Sequence, residues 1–372
     1  IPLLVEILAH NRDVETANLF LAEAAVEALG RIGTPEAEEA LVSAFAELQD
    51  YPRYTYWYGD HSALMACHAS PVHYLIAEAL DAIGSRRAKP VVPHLIRSVP
   101  IDPDRALLLE NDDCEVIVGR VIRRQGMEEA VVETCLALLG DSDAKPTQEI
   151  QDAISTIHRC WAGHPTPENR AAQILSLVCR DRAYEPRIRA AFERYRATTT
   201  DIPRVFDTGI PVVLALPLKN WVCFYLARAL GNLEDTNSAT TLIAALEQSP
   251  TEAANGHPDP LGPGVIFLHN GLTPCWRAAV VWALGRIGDR RAVPVLLSIV
   301  ADLHNATDTR HAAARALGRI ADTSHVASMR QLAQDYPEIS TRRALREACS
   351  QIEKRSKIAK AATVLSDVSG VR

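Results

Sequence analysis

The chain has 372 residues, of which 48% are hydrophobic and 23% charged, a balance that is typical of a folded protein and excludes a disordered one. Only 5% of the residues are aromatic, and alanine and leucine fill most apolar positions, which favours closely packed helices over sheets. The 39 basic residues are outnumbered by 46 acidic ones, and the net charge of −7 disfavours a general nucleic-acid binder.

An internal repeat organises the chain. A phrase built on Ala-Leu, in most copies followed by Gly, recurs five times, with weaker copies between and after. The clear copies are Glu27–Gly33, Glu78–Gly84, Arg228–Leu233, Trp282–Asp289 and Arg315–Asp322, and the weaker ones are Val118–Val121, Ile154–Ile157 and Ala348–Ile352. One long step between copies predicts a further, degenerate repeat around Ile188–Tyr195.

Each repeat follows the same order of elements. An alanine-rich amphipathic first helix ends at a glycine, which accepts the left-handed conformation that closes a helix. A shorter second helix follows, often with proline in its first turn, as in Ala88–Leu95 and Ala292–Leu297.

This pattern resembles the HEAT-repeat superfamily, in particular the short HEAT-like repeats of phycobilisome lyases. The residues that carry the resemblance are Arg277–Leu296 and Arg310–Asp322. It implies an all-α fold, a right-handed α-solenoid of about eight stacked antiparallel helix pairs. We expect one such domain over residues 1–355 and a loose C-terminal tail over 356–372, with the last periodic helix ending near Lys360.

The start of the chain, Ile1–Leu8, matches a second helix without its first helix, so we expect the sequence to be part of a longer chain. No signal-peptide pattern is visible in the sequence. The most apolar stretch, Gly209–Ala227, contains Pro211, Pro217 and Lys219, which favours a buried helix over a membrane span.

Two insertions interrupt the repeats, and both follow a second helix. The first, at about 49–71, holds five of the chain's twenty aromatic residues within eight positions, and histidines follow these aromatic residues inside the insertion. We predict a partner-binding site here, because Tyr and Trp combine large contact area with a polar group. Alternatively, these rings seal the edge between widely spaced repeats. The predicted binding residues are Tyr51, Tyr54, Tyr56, Trp57, Tyr58, His61 and His68, with His269 from the second insertion.

The second insertion, at about 249–274, is rich in proline and glycine and carries the apolar segment Val265–Leu268. It predicts either a binding element or an ordered loop that packs through Phe267. Because five repeats separate the two insertions, we expect two surface features rather than one active site.

Catalytic and metal-binding signals are weak. None of the eight cysteines forms a C-x-x-C pair, and their apolar surroundings predict reduced, buried thiols in a cytoplasmic protein. The spacing of His61, Cys67, His68 and His73 does not favour a structural zinc site, and no cofactor motif is present. An arginine-rich stretch at 180–196 is either a solvated helix face or a site for an acidic partner.

These observations predict a non-enzymatic scaffold that binds a protein partner through its curved helical surface and the aromatic insertion. Nucleic acid and membrane are disfavoured as partners. Two alternatives stay open: the repeats form the C-terminal part of a larger enzyme, or they handle a tetrapyrrole, as the resemblance to bilin lyases implies.

Overall fold

The computed structural model describes residues 1–10, 19–47, 71–99, 113–155, 166–197, 218–248, 276–334 and 336–369. Within these ranges every regular element is a helix. Among the described residues, those at 1–180, 197 and 218–222 fall in one compact unit, and those at 181–196 and from 223 to 369 fall in a second. Inside each unit the helices pack as in a helical repeat solenoid, which confirms the predicted all-α fold class.

The first unit contains nine helices among its described residues. They are α1 (Pro2–His10), α2 (Leu19–Ile32), α3 (Pro35–Glu47), α4 (Pro71–Ala82), α5 (Val92–Ser98), α6 (Asp113–Arg124), α7 (Glu128–Leu138), α8 (Gln148–Ser155) and α9 (Pro167–Val178). Helices α2, α4, α6 and α9 are first helices, while α3, α5 and α7 are second helices. Helix α1 packs against α2 in the manner of a second helix, and α8 packs against α5 and α7.

The second unit continues the same alternation. Its helices are α10 (Glu185–Ala197), α11 (Leu218–Leu233), α12 (Asn237–Gln248), α13 (Trp276–Ile287), α14 (Val293–Ala301), α15 (Thr307–Ile320), α16 (Val326–Gln334) and α17 (Ile339–Ser369). The odd-numbered members from α11 to α17 are first helices. Helix α10 covers the predicted degenerate repeat around Ile188–Tyr195 and is a second helix.

Helix α17 differs from the expected C-terminus. It runs through Lys360 to Ser369 without a break, so the segment expected to be a tail is helical in the structure. Residues Lys357–Ala362 are exposed. The helix persists there because its sequence contains neither Gly nor Pro before Gly370 and is rich in Ala and Lys, which favour helix.

Two kinds of residue, a glycine and an aspartate, shape the turns between first and second helices. Gly84 and Gly288 end their helices with φ values of 69° and 80°, the left-handed region that glycine adopts without strain. The side chains of Asp289 and Asp322 then accept hydrogen bonds from backbone N–H groups two residues later, at 2.9 and 3.0 Å. These bonds start the second helix in a fixed direction.

Neighbouring first helices meet through a glycine on one helix and an alanine on the next. A Cβ atom added to Gly285 would lie 2.8 Å from the Cβ of Ala316 and 3.0 Å from its Cα, closer than real atoms approach. The same arrangement recurs at three other junctions: Gly30 with Ala79, Gly231 with Ala283, and Gly318 with Ala348. The Ala-Leu-Gly phrase therefore supplies an alanine for the preceding helix and a glycine for the following one.

The leucine of the phrase fills the core beneath this contact. Five of these leucines have no exposed surface at all: Leu29, Leu80, Leu230, Leu284 and Leu317. Each fully buried leucine is worth about 1.5–3 kcal/mol of transfer free energy, so the phrase couples close helix approach to most of the local hydrophobic stabilisation.

One junction replaces the glycine contact by charge. Asp81 occupies the glycine position on α4, and its carboxylate pairs with Arg120 at 2.7 Å and Arg124 at 3.0 Å, both on α6. Arg124 also donates to the backbone carbonyl of Asp81. Two arginines thus neutralise one carboxylate and one helix C-terminus at this junction.

None of the helices in the described ranges is both long enough and apolar enough to span a membrane.

We predict that Gly285→Ala lowers the free energy of unfolding by about 1–3 kcal/mol, because the new methyl group overlaps Ala316 and the helices must separate. Urea denaturation followed by circular dichroism measures the change. Ser350→Ala is the matched control: Ser350 occupies the equivalent position on α17, where it is exposed. This variant should be as stable as wild type or slightly more stable, since alanine favours helix. Equal effects of the two substitutions would contradict the close-packing interpretation.

Candidate interaction surfaces

The predicted aromatic site lies outside the described residues. This applies to Tyr51, Tyr54, Tyr56, Trp57, Tyr58, His61, His68 and His269 alike. The apolar segment Val265–Leu268 of the second insertion lies outside them too. The partner-binding role of both insertions therefore stays a prediction.

The arginine-rich stretch at 180–196 is committed largely to contacts within the protein. Arg182 Nε donates to the carbonyl of Leu233 at 3.0 Å, at the C-terminus of α11. Arg189 forms a 3.0 Å ion pair with Glu185, which is only 1% exposed. Arg187 lies over the ring of Tyr184 at 5.7 Å. These contacts give the stretch a structural role and weaken the interpretation as a site for an acidic partner.

Three buried arginines, to which the sequence pattern assigned no role, bind backbone carbonyls at the end of a second helix or in the loop that follows it. Arg170, Arg277 and Arg310 occupy the same position near the start of a first helix and are 4%, 3% and 4% exposed. Arg170 donates to the carbonyls of Ile96, at 2.5 Å, and Val99 at the end of α5. A guanidinium is suited to this place because helix C-termini leave carbonyls unpaired and carry partial negative charge.

Arg277 repeats this arrangement, whereas Arg310 binds carbonyls of the loop after α14 and pairs with Glu338. Arg277 donates to the carbonyl of Leu246 in the last turn of α12 at 3.1 Å. Arg310 donates to the carbonyls of Leu303 and Asn305, at 2.6 and 2.9 Å, just after α14. The recurrence of Arg eight residues before the glycine of the phrase, at Arg277 and Arg310, is the sequence signal that could have identified this role.

A partly buried carboxylate joins the first two repeats. Glu38 on α3 accepts a 2.6 Å hydrogen bond from the hydroxyl of Ser85 and 3.2 Å bonds from the backbone N–H groups of Arg86 and Arg87. These three donors lie in the turn after α4. The hydrogen bond from Ser85 is the largest cause that holds the pKa of the Glu38 carboxyl below its ordinary value, against the opposing effect of burial.

A glutamate at the start of a second helix makes the same kind of hydrogen bond at two further junctions. Glu128, at the start of α7, accepts a 2.6 Å hydrogen bond from the backbone N–H of Arg180. Glu185, at the start of α10, accepts a hydrogen bond from the hydroxyl of Ser238. In each case a glutamate in the first turn of a second helix, buried at Glu185 and partly buried at Glu38 and Glu128, bonds to the next repeat.

The second helices of the second unit present a polar surface to solvent. Thr241 on α12 donates to Glu193 on α10 at 3.0 Å, and Arg196 donates to Gln248 at 3.2 Å, so hydrogen bonds cross from one repeat to the next. The exposed polar residues of these helices include Glu193, Arg194, Thr240, Gln248, Ser298 and Ser328. We call this set the second-helix surface. It offers hydrogen-bond donors and acceptors to a polar partner.

Thiols and metal ligands do not combine into a reactive centre in the described ranges. There, no group of three or more His, Cys, Asp or Glu side chains is placed to hold a metal ion. Burial raises the pKa of the Cys135 thiol well above its usual range, and Cys349 donates weakly to the carbonyl of Val326. Such thiols are protonated and poorly nucleophilic.

Comparison with known proteins agrees with this architecture. Residues 273–350 match the family model for HEAT repeats. Residues 21–47 and 222–248 match the model for the PBS lyase HEAT-like repeat. These segments are HEAT-like repeats, which confirms the resemblance drawn from the repeated phrase.

Comparison of the whole chain with curated proteins and solved structures does not indicate an activity. None of the curated proteins matches the sequence. Among solved structures, human deoxyhypusine hydroxylase in complex with glycerol is similar over 94% of this chain and 96% of that chain, with 17% sequence identity and a TM-score of 0.30. A likeness of this degree carries nothing about activity.

We predict that Glu38→Gln lowers the free energy of unfolding by about 1–2 kcal/mol at neutral pH, because charge-assisted hydrogen bonds become neutral ones. The folded-state pKa of Glu38 lies below its unfolded value of about 4.3. The ionised carboxylate therefore stabilises the fold above that pH, and the stabilisation is lost as the pH falls through the folded pKa. Urea denaturation at neutral pH and at about pH 3 should show the difference from wild type shrinking in acid.

Glu39→Gln is the matched control for this measurement, since Glu39 is the exposed neighbour on the same helix. Its unfolding free energy should stay within about 0.5 kcal/mol of wild type. A Glu38→Gln effect of the same size at both pH values would show that the carboxylate charge has no part in joining these repeats.

Proposed function

We propose that this protein is a non-enzymatic HEAT-like repeat scaffold that binds a protein partner. The observation that carries the proposal is that polar groups occupy two kinds of position, one between repeats and one on an exposed surface. The arginines and glutamates described above join repeats from buried or partly buried positions, whereas the second-helix surface keeps polar side chains exposed to solvent across successive repeats, even where they bond to a neighbouring repeat. Stacked repeats of this kind give extended surfaces that suit macromolecular partners.

The aromatic insertion is the proposed centre of binding. Tyr56, Trp57 and Tyr58 are consecutive, and such residues dominate binding energies where they become fully packed against a partner. His61, His68 and His269 are assigned to the rim of the same kind of contact, as polar groups. The proposal includes no cofactor and places the protein in the cytoplasm, a choice supported by the free thiols of Cys135 and Cys349.

A second candidate is the handling of a tetrapyrrole. It is favoured by one observation, the match of residues 21–47 and 222–248 to the PBS lyase HEAT-like repeat. Titration with a free bilin separates the two candidates. A saturable shift in the bilin absorption spectrum supports this second function, and an unchanged spectrum supports the scaffold.

We predict that replacing Tyr56, Trp57 and Tyr58 together by alanine weakens partner binding at least about tenfold while the melting temperature stays within a few degrees of wild type. The partner is first identified by a photo-crosslinking amino acid at position 57. Its affinity is then measured with the purified partner by isothermal titration calorimetry.

The control for this experiment is the double variant Ile339→Ala and Ile358→Ala, which removes two exposed apolar side chains from α17, 79% and 60% exposed. It should bind the partner with wild-type affinity. If the aromatic variant instead loses several kcal/mol of stability and binds the partner as well as wild type does, the rings belong to the core and the site is wrong.

A further inference from the structure

Three exposed basic side chains lie on the turn between α4 and α5. The turn contains the sequence Gly-Ser-Arg-Arg-Ala at residues 84–88, and Lys89 follows it. Arg86, Arg87 and Lys89 are all exposed. Their side chains form no hydrogen bond or ion pair with any other residue that the structure describes. Their charges are therefore not offset by a bonded carboxylate of the same unit.

The equivalent turn of the second unit has the sequence Gly-Asp-Arg-Arg-Ala at residues 288–292, and its arginines are engaged. Arg291 forms an ion pair with Asp289, with 2.6 Å between Nη2 and Oδ2, and its Nε donates to the same carboxylate at 2.9 Å. Arg290 lies 3.9 Å from the carboxylate of Asp322. In this turn, carboxylates of the same unit offset both guanidinium charges.

The residue after the glycine accounts for the difference between the two turns. The Ser85 hydroxyl oxygen accepts a 3.4 Å hydrogen bond from the backbone N–H of Arg87, as the Asp289 carboxylate does from the N–H of Arg291 at 2.9 Å. Ser85 thus supports the same turn, but it is neutral and cannot form an ion pair with an arginine side chain. The carboxylate of Glu38 instead accepts from the Ser85 hydroxyl and from backbone N–H groups of the turn.

Helix α6 adds two further arginines beside this turn. Gln125 Nε2 donates to the carbonyl of Ser85 at 2.8 Å, so the end of α6 lies against the turn. Arg120 and Arg124 share the single carboxylate of Asp81, which leaves an excess of positive charge there. We call the following five residues the basic corner: Arg86, Arg87, Lys89, Arg120 and Arg124.

The basic corner stands out because this half of the chain is acidic. Residues 1–180 contain 15 of the 39 basic residues and 27 of the 46 acidic ones. An acidic partner is therefore repelled by most of this unit and attracted at the corner, which fixes where it binds. Glu36 and Glu38 interact electrostatically with Arg87 and limit the basic surface on that side. A nucleic-acid backbone requires a longer row of cations, whereas a short acidic peptide segment does not.

We propose that the basic corner binds a short acidic segment of a protein partner, with several Asp or Glu residues in succession. Arg86 and Arg87 supply the main contacts, since guanidinium groups form charge-assisted hydrogen bonds with carboxylates. The inference rests on the proposed scaffold function for the class of partner, a protein. It adds a second site, composed of described residues and independent of the aromatic insertion.

The experiment uses the full chain and a synthetic peptide as the probe. The peptide contains four consecutive Asp and Glu residues flanked by Gly and Ser, and it carries a neutral fluorescent label. A control peptide has Asn and Gln in place of the acidic residues. Fluorescence anisotropy gives the affinity. We expect saturable binding of the acidic peptide alone, and this binding should weaken between about 50 and 300 mM salt because salt screens exposed charges.

Two pairs of substitutions locate the site. Arg86→Gln combined with Arg87→Gln should weaken peptide binding at least about fivefold, because two exposed charge contacts are lost. The matched control is Arg290→Gln combined with Arg291→Gln, the same change in the equivalent turn, where Asp289 and Asp322 already offset the charges. It should change the affinity less than about twofold. Lys89→Gln is a milder variant of the same site and should cause a smaller loss than the arginine pair.

Several results would overturn the proposal. They are equal binding of the control peptide, equal effects of the two arginine pairs, and tighter binding of a single-stranded oligonucleotide of the same net charge. The last result would make the corner a nucleic-acid site. Thermal melts of each variant check that the fold is retained.

The variant with alanine at positions 56, 57 and 58 separates this inference from the proposed aromatic site. It should bind the acidic peptide with wild-type affinity. Loss of peptide binding in that variant would place the acidic peptide at the insertion and contradict a separate site. Failure of the peptide to bind the wild-type protein would overturn the basic corner alone, since the scaffold function is tested through the crosslinked partner.

Discussion

Close approach between consecutive first helices is the constraint on which the rest of this structure depends. A glycine on one helix and an alanine on the next leave no room for another methyl group at four junctions, among them Gly231 with Ala283 and Gly285 with Ala316. This approach brings the leucine between them into a fully buried position, and it sets where each turn and second helix must follow. Dispersion contacts and burial both increase at this spacing, so one short phrase determines most of the packing.

Charged side chains at the junctions fix the position of one repeat relative to the next. Guanidinium groups such as Arg170 bind the carbonyl end of a second helix, and carboxylates such as Glu38 bind the N–H groups of a turn. Each pairs an ionised group with backbone dipoles of the neighbouring repeat. Such directional bonds specify the register of the stack, which apolar packing alone defines less sharply.

Much of this fold could be predicted from the sequence, because the small and apolar residues of the repeated phrase are those that close helix packing requires. The Ala-Leu-Gly spacing identifies the first helices, and Gly84 and Gly288 mark their ends correctly. The spacing of Arg277 and Arg310 before the glycine marks a recurrent arginine, but the carbonyl partners of Arg277 and Arg170 could not be predicted, since they lie 31 and 74 residues away. The helical extension of α17 beyond Lys360 could not be predicted, because it lacks the apolar period of a packed helix. The site predicted at Trp57 lies outside the described residues. The repeat pattern does not predict the structure of a segment inserted between repeats.

The most direct test of the central claim is a double-mutant cycle on Gly285 and Ala316, with unfolding free energies from urea denaturation. Gly285→Ala adds the obstructing methyl group, and Ala316→Gly removes the methyl group that it meets, 2.8 Å away. If close approach determines the stacking, the double variant is more stable than the sum of the single effects by about 1 kcal/mol or more. Additivity within about 0.3 kcal/mol would contradict the claim that this contact holds the repeats together.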